Sequence, residues 1–394
     1  MNRTVVVGSS IAGIRTAQAL RSAGDTDEIV VVGEESVAPY DKPPLSKAVL
    51  AGTAEVADGA LLPGDADVTV LLGTPATGLD LGSREVELGD GRRLGYRDVV
   101  IATGAHARPS PWRPRSGVHV LRTAADALAL RSDLDRGGPL VVVGAGVVGS
   151  EVAATARGRG LEVALVDPLP VPAARVLGDP AGIFLAELHR ARGTRLHLGV
   201  GVTDVTGEAG DLRVTLTDGR VLPAATVVVG IGAAPNVGWL RGSGLRLHDG
   251  VVCDEFGRCA PGVWAVGDVA RWTRPGVGAT RYEHWTSAVE QAALVARNIA
   301  GERLVGYAPV DYVWSDQFDW RLQVAGRPAD AVTHRVVVTP DDERFAVVGF
   351  DAARVPVGVV TMNWPRAMLT ARRSMDDPAL ATRLTALAGS RRAS

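Results

Sequence analysis

The sequence predicts an α/β chain carrying two dinucleotide-binding units, and three observations lead there. First, the β-branched run Val5-Val6-Val7 meets a glycine turn at Gly8, and a helical pattern follows to about Ala23. Second, the same plan returns at Val141-Val142-Val143, with its turn at Gly144 and a helical pattern to about Arg159. Third, each helix leads into another apolar strand closed by an acid: Ile29 to Gly33 then Glu34, and Glu162 to Val166 then Asp167. A short apolar run, a glycine and a period near 3.6 together mark strand, turn and helix. Gly8 and Gly144 lie 136 positions apart, so the chain holds an internal repeat of βαβ units.

Each half then continues alike. Short alternating strands turn at Gly89-Asp90-Gly91 in the first half and at Asp218-Gly219 in the second. Each region ends in an apolar returning strand with small residues, Val99 to Gly104 and Val227 to Gly232. From about Pro309 the character changes. Residues Arg335 to Val338, Arg344 to Phe350 and Val357 to Met362 alternate like antiparallel strands. Pro365 to Arg373 and Pro378 to Leu387 read as helices with proline in the first turn. This is a small α+β C-terminal domain. The tail from Gly389 to Ser394 is expected to fray.

Composition narrows the class of function. A chain of 394 residues, 46% apolar and 22% charged, is globular and long enough for two or three domains. Aromatics make up 5%, so Val, Leu, Ile and Ala must build the core. A net charge of −2 argues against nucleic acid as the main partner. Cys253 and Cys259 are too few and wrongly spaced for a disulfide framework, a redox C-x-x-C or a usual zinc pair. They read as small residues near a strand. The N-terminus shows no charged leader followed by an apolar stretch, and the longest apolar run, Leu140 to Ala156, is broken by glycines and Glu151. A cytoplasmic protein with no membrane segment is expected. Of 42 basic residues only Lys42 and Lys47 are lysines, and both fall in Tyr40-Asp41-Lys42-Pro43-Pro44-Leu45-Ser46-Lys47.

The glycine turns carry the first chemistry. Glycine between strand and helix lets backbone N–H groups approach a pyrophosphate at the helix N-terminus. Gly144-x-Gly146-x-x-Gly149 meets the Rossmann pattern fully, and Asp167 follows 23 positions after Gly144, where a ribose-binding acid belongs. Such an acid accepts from a ribose 2′-OH and repels a 2′-phosphate, and no arginine stands beside it. NADH is therefore expected rather than NADPH. The first turn has Gly8, Ser10 and Gly13, with serine in the middle place, and Glu34 lies 26 positions after Gly8. The two turns together indicate two different dinucleotides in one protein. A third element, Gly262-Val263-Trp264-Ala265-Val266-Gly267-Asp268, offers a carboxylate and an amide at a strand end.

With these pieces stand Pro39 to Lys47, Ala102-Thr103-Gly104, Gly230 to Asn236 and Trp314-Ser315-Asp316-Gln317. Together they resemble the FAD-dependent pyridine-nucleotide reductases, and within them the ferredoxin reductases that serve cytochromes P450 and ring-hydroxylating oxygenases. The likeness covers nearly the whole chain. It implies two Rossmann-like domains for FAD and NAD plus the α+β C-terminal domain. FAD would occupy 1–106 and 233–309, NAD 107–232, and the last domain 310–394. It implies that Gly8, Ser10, Ala12 and Gly13 hold the FAD pyrophosphate and that Glu34 holds the adenosine ribose. Ala76 would give a backbone contact to the adenine, Arg122 would reach FAD from the interdomain crossing, and Asp268 would bind the ribityl and phosphate region. Lys47 would lie beside the isoalloxazine and Trp285, in Glu283-His284-Trp285, at the flavin edge. Thr103 and Gly104 join the cofactor-binding residues. Gly144, Gly146, Val148, Gly149, Glu151, Asp167 and Gly232 belong to the NAD side. The implied partner is an iron–sulfur ferredoxin that feeds a P450 or oxygenase.

Lys47 has a chemical reading as well. Its compact ammonium can pair with Glu151, which follows the second glycine turn, and stabilise the charge left on a flavin by hydride from NADH. Lys47, Glu151 and Trp285 are thus the expected catalytic residues; the plainer reading of Trp285 is core packing. Lys42 reads more simply as a solvated lysine. Hydride transfer to flavin requires no general acid–base residue, and the histidines show no metal-ligand spacing. Arg366, Arg372 and Arg373 are candidates for steering an acidic ferredoxin, although a solvated helix face explains them more simply. Two other functions share these cofactor sites. A disulfide reductase or cysteine-based NADH oxidase would need a thiolate at the flavin, and Val37 to Leu50 holds no cysteine. A non-catalytic, NADH-sensing flavoprotein would show flavin reduction without a productive acceptor.

Overall fold

The computed structural model describes residues 2–61, 67–113, 115–274, 278–301, 303–339 and 343–389. The expected fraying beyond Gly389 lies outside the described residues. Contacts group the chain into two compact units. One comprises Met1–Lys42, Glu55–His106 and Ala233–Pro309; the other comprises Pro43–Ala54, Ala107–Gly232 and Val310–Ser394.

The first unit is built on a six-stranded sheet. Its order is Arg258–Ala260, Val263–Ala265, Asp98–Ile101, Arg3–Val7, Glu28–Val32 and Thr69–Leu71. All pairings are parallel except that of the first two strands. Val5, Val6, Val30, Val31, Val99 and Val100 fill the interior on both faces. A parallel sheet covered on both sides needs such unbroken β-branched runs. The helix Ile11–Ser22 packs against the helix Trp285–Ala300, which offers Ala288, Ala292 and Ala296 as buried small residues. Gly267 has φ +73°, and a Cβ there would meet the Cβ of Ala12 at 2.9 Å, so the Gly-Asp turn presses directly on the first glycine loop. The expected small β region is the antiparallel sheet Ala76–Asp80, Glu85–Leu88 and Arg93–Gly95, turned at Gly91 in the left-handed region.

The second unit repeats the plan. Its five-stranded parallel sheet runs Arg195–Leu198, Val163–Asp167, Leu140–Val143, Thr226–Val229 and Val118–His119. Its own antiparallel sheet is Val202–Glu208, Asp211–Leu216 and Val221–Ala224. Pro43–Ala54, the segment containing Lys47, belongs to this unit. It forms a 3-10 turn at Pro43–Ser46 and a short helix at Ala48–Ala51. Leu50, with no exposed surface, anchors the segment among Leu130, Leu134, Val142 and Ala153.

The C-terminal region is a five-stranded antiparallel sheet in the order Tyr312–Gln317, Trp320–Gly326, Pro356–Met362, Phe345–Phe350, Thr333–Val338. The helices Pro365–Arg373 and Leu380–Gly389 cover one face through Ala367, Ala371, Leu380 and Leu384. Pro378 falls two residues before the last helix instead of in its first turn. Leu322, Val324 and Val360, on the other face, pack on Leu177, Ala181 and Leu185. The strands at 312–317 and 320–326 carry polar residues at buried positions, Ser315, Gln317 and Gln323, which obscures their alternation.

Candidate functional site

Both glycine loops sit at the carboxyl end of a central parallel strand, and both are closed by their own backbones. Gly8 N–H donates to Val32 O at 2.8 Å, and Gly144 N–H donates to Val166 O at 2.7 Å. Gly8 has φ +122° and Gly144 φ +102°. A Cβ on Gly8 would meet Ala102 O at 2.1 Å, and one on Gly144 would meet Gly230 O at 2.3 Å. A Cβ on Gly13 would meet Gly8 O at 1.8 Å, and one on Gly149 would meet Gly144 O at 1.9 Å. So the outer glycines let each helix begin hard against its strand. Gly146 differs, because its Cβ would meet nothing within 4 Å. That open space lies at the N-cap of the helix Val147–Gly158, where amide groups lack helical partners. The cradle fits a pyrophosphate on both counts.

The first loop departs from the second in a specific way. Ser10 is the N-cap of the helix Ile11–Ser22 and makes no side-chain cap hydrogen bond. Asp167 directly follows Val166, the pairing partner of Val143, and the equivalent position in the first unit is Gly33, directly after Val32, the pairing partner of Val7. A Cβ on Gly33 would meet Ser9 Oγ at 2.3 Å. Position 33 thus has no room for a side chain, and the first acid after that strand is Glu34, one residue further on and exposed. Asp167 is held in place: Oδ2 accepts from Ala145 N–H at 2.7 Å and Oδ1 from Leu169 N–H at 2.8 Å. A carboxylate has about four acceptor positions, so these two backbone bonds do not exhaust it. Val148 is exposed at the start of the second helix.

The remaining expected residues of the first unit are placed by their own contacts. Thr103 Oγ1 donates to Asn236 O at 2.9 Å, and Asn236 Nδ2 donates back to Thr103 O at 2.8 Å. Gly104, at φ +64°, gives its carbonyl to Asn236 N–H at 2.9 Å. Asp268 follows Gly267, whose N–H is held by buried Gln291 Oε1 at 2.8 Å. Ala76 opens the small antiparallel sheet. Trp285 begins its helix half-buried, and its indole N–H donates to Asp41 Oδ1 at 2.8 Å. Lys42 departs from the expectation of a solvated side chain. It lies 3.0 Å from Glu35 Oε1 and its Nζ sits 4.9 Å over the Tyr40 ring. Tyr40 OH also donates to Glu35 at 2.6 Å. The tyrosine beside it supplies both a ring face and a hydroxyl, which a bare surface lysine lacks.

In the second unit, Lys47 and Glu151 meet. Lys47 Nζ lies 2.8 Å from Glu151 Oε1, and the Glu151 side chain is only 4% exposed. Removing one partner of such a pair strands a buried charge, at a cost of roughly 3–5 kcal/mol. Two hydroxyls that sequence reasoning did not select complete the carboxylate. Ser46 Oγ donates to Oε2 at 2.5 Å, and Ser315 Oγ donates to Oε1 at 2.6 Å. Arg122 precedes Thr123, the N-cap of Ala124–Asp135, and its backbone N–H donates to Asp126 at 3.0 Å. Gly232, at φ +101°, accepts from Arg108 N–H at 2.9 Å. Arg366 and Arg373 are exposed on their helix, while Arg372 lies over the Tyr312 ring at 4.6 Å.

Cys253 is in a strand of the first unit, buried and unbridged, and burial pushes its thiol well above the usual range. Cys259 is a free thiol in the neighbouring strand Arg258–Ala260. Replacing both by alanine is expected to leave reduction of a flavin by a nicotinamide dinucleotide within about twofold of wild type, as burial disfavours a thiolate at Cys253. A loss of reduction in stopped-flow absorbance would restore the disulfide reading. Among the described residues no helix is long and apolar enough to cross a membrane.

Comparison with known proteins agrees with the two-loop geometry. Residues 2–292 match the pyridine nucleotide-disulphide oxidoreductase family, and residues 312–388 match the reductase C-terminal domain. The chain is 37% identical to rhodocoxin reductase of Rhodococcus erythropolis, over 94% of this chain and 88% of that one. It is 35% identical to the ferredoxin–NAD(+) reductase component of the p-cumate 2,3-dioxygenase system of Pseudomonas putida, over 95% and 93% of the two chains. Among solved structures, the ferredoxin reductase for the CYP199A2 system of Rhodopseudomonas palustris superposes with a TM-score of 0.91 at 28% identity, covering 98% of this chain and 100% of that one. Two glycine cradles of one design, a family match across both and a matched C-terminal domain place this chain in the pyridine nucleotide-disulphide oxidoreductase family, in its ferredoxin reductase branch.

Proposed function

We propose that the protein is an FAD-dependent NADH:ferredoxin reductase. The observation that carries this reading is the pair of glycine cradles, closed alike but finished differently, in a chain whose relatives are named ferredoxin–NAD(+) reductases. Gly8, Ser10, Ala12 and Gly13 hold the FAD pyrophosphate, Glu34 the adenosine ribose, and Asp268 the ribityl and phosphate region. Ala76, Thr103, Gly104, Arg122 and Trp285 complete the flavin contacts. Gly144, Gly146, Val148, Gly149 and Gly232 receive the nicotinamide dinucleotide, with Asp167 on its ribose. FAD held there would supply two-electron chemistry toward NADH and one-electron chemistry toward the acceptor. Lys47 sets a positive charge against the negative charge that reduction brings, and buried Glu151 keeps that ammonium in place. The acceptor is an iron–sulfur ferredoxin that serves a cytochrome P450 or a ring-hydroxylating oxygenase. The protein acts in the cytoplasm.

The NADH preference rests on Asp167. A fixed carboxylate accepts from a 2′-hydroxyl and repels a 2′-phosphate. Steady-state reduction of a panel of ferredoxins should run at least about tenfold faster in kcat/KM with NADH than with NADPH, a difference of ~1.4 kcal/mol. A strong NADPH preference would refute the role given to Asp167.

A further inference from the structure

The ion pair at Lys47 continues into a line of buried polar groups that flavin chemistry has not yet used. Ser315 and Gln317 are alternate residues of the strand Tyr312–Gln317, so both point to the same face, and both are buried. Gln317 Nε2 donates to Ser315 Oγ at 3.1 Å. Gln317 Oε1 lies 2.8 Å from His189 Nε2, and His189 Nδ1 lies 3.3 Å from Thr194 Oγ1. His189 has no exposed surface and Thr194 is 4% exposed. The line thus runs from Thr194 to Lys47 through four intervening side chains of the second unit.

The bonding rules allow this line only one direction. The Glu151 carboxylate accepts and does not donate, so Ser315 must spend its single proton on Glu151. Ser315 Oγ can then only accept from Gln317, which must present its amide NH2. The Gln317 carbonyl therefore faces His189, and His189 must carry its proton on Nε2. Nδ1 is left as an acceptor for the Thr194 hydroxyl. Burial pushes the His189 pKa down, against a weaker upward pull from Gln317, which agrees with a neutral ring of one tautomer. On the other side Ser46 Oγ closes Oε2, and Thr155 Oγ1 donates to Ser46 O at 2.8 Å, fixing the residue next to Lys47.

We propose that Ser315, Gln317 and His189 are positioning residues for the reductase, orienting the Glu151 carboxylate so that it holds the Lys47 ammonium in one place. A carboxylate gripped by two hydroxyl donors besides its cation is hindered from rotating away from that cation, and the direction of the Ser315 hydroxyl is set by Gln317, the next group along. The proposal rests on the role given to Lys47 above.

The chain has only two lysines, which makes the test direct. In protein labelled with ¹³C,¹⁵N-lysine, two sets of Cε and Nζ signals report Lys47 and Lys42, and Lys42 sits in the other unit beside Glu35. Ser315→Ala removes the donor. Gln317→Glu keeps shape but accepts from both His189 and Ser315, turning the serine proton away from Glu151. Both should move the Lys47 signals and leave those of Lys42 in place, while Ser315→Thr, which keeps the hydroxyl, should stay near wild type. Both should also slow flavin reduction at saturating NADH about tenfold with the NADH half-saturation unchanged, as expected for loss of a hydrogen bond to a charged group. Lys47 signals that superimpose on wild type in Gln317→Glu, with Lys42 unmoved, would overturn the proposal. Moved Lys47 signals with an unchanged rate would instead uphold the positioning and overturn the flavin role of Lys47.

Discussion

Gly149→Ala is expected to yield a yellow, FAD-loaded protein that NADH reduces about 100-fold more slowly than wild type. The new Cβ would stand 1.9 Å from Gly144 O, so the helix Val147–Gly158 must shift off its strand by more than an ångström. A displacement of that size in a positioning element costs on the order of 100-fold in rate. The equivalent change in the other loop should act on the other cofactor. Gly13→Ala would put a Cβ 1.8 Å from Gly8 O and is expected to give colourless protein. Gly146→Ala separates ligand from fold, because the protein itself has room for a methyl group there. Its melting temperature should match wild type while NADH binding weakens. Flavin absorbance after gel filtration, stopped-flow reduction and thermal melting read these three outcomes. Loss of FAD from Gly149→Ala with NADH reduction intact in Gly13→Ala would reverse the assignment of the two loops.

Lys47→Ala is expected to keep FAD and to lower the rate of its reduction by NADH by about 100- to 1,000-fold, the range for removing one preorganised electrostatic contact. It also leaves Glu151, 4% exposed, without its cation. Two hydroxyls, from Ser46 and Ser315, remain on that carboxylate and limit the loss of stability. Lys47→Ala with Glu151→Gln removes both charges, so it should recover stability and leave reduction slow. Anaerobic stopped-flow at the flavin band measures the rate, and a rate within twofold of wild type would remove Lys47 from the mechanism.

The large features were legible because they repeat. Valine runs, glycine turns and acids recur in the same order, and each has a local physical cause: β-branched packing in a parallel sheet, or a backbone approach that a Cβ would block. The Lys47–Glu151 pair was legible through lysine scarcity and through the place of Glu151 after the second turn. The groups that grip Glu151 were not. Ser46, Ser315, Gln317 and His189 are scattered along the chain, and a polar residue has no periodicity that names its partner. One signal did exist: Ser315 and Gln317 are spaced by two in Trp314-Ser315-Asp316-Gln317, which on a half-buried strand puts two polar groups on one face. Residue type alone argues for a solvated Lys42, whereas Glu35 and Tyr40 hold it on two sides. Position 33, equivalent to Asp167, holds glycine, and the Ser9 side chain fills the place that a Cβ there would need.

The central claim is that electrons enter from NADH and leave to a ferredoxin. Its most direct measurement is anaerobic: mix the FAD-loaded protein with one equivalent of NADH, then with an oxidised [2Fe–2S] ferredoxin, and follow the flavin and iron–sulfur bands. Loss of the flavin band is expected on the first mixing. On the second mixing the flavin band should return while two ferredoxins are reduced per NADH. Flavin that is reduced by NADH but stays reduced beside every oxidised ferredoxin offered would contradict it and would leave an NADH-sensing flavoprotein in its place.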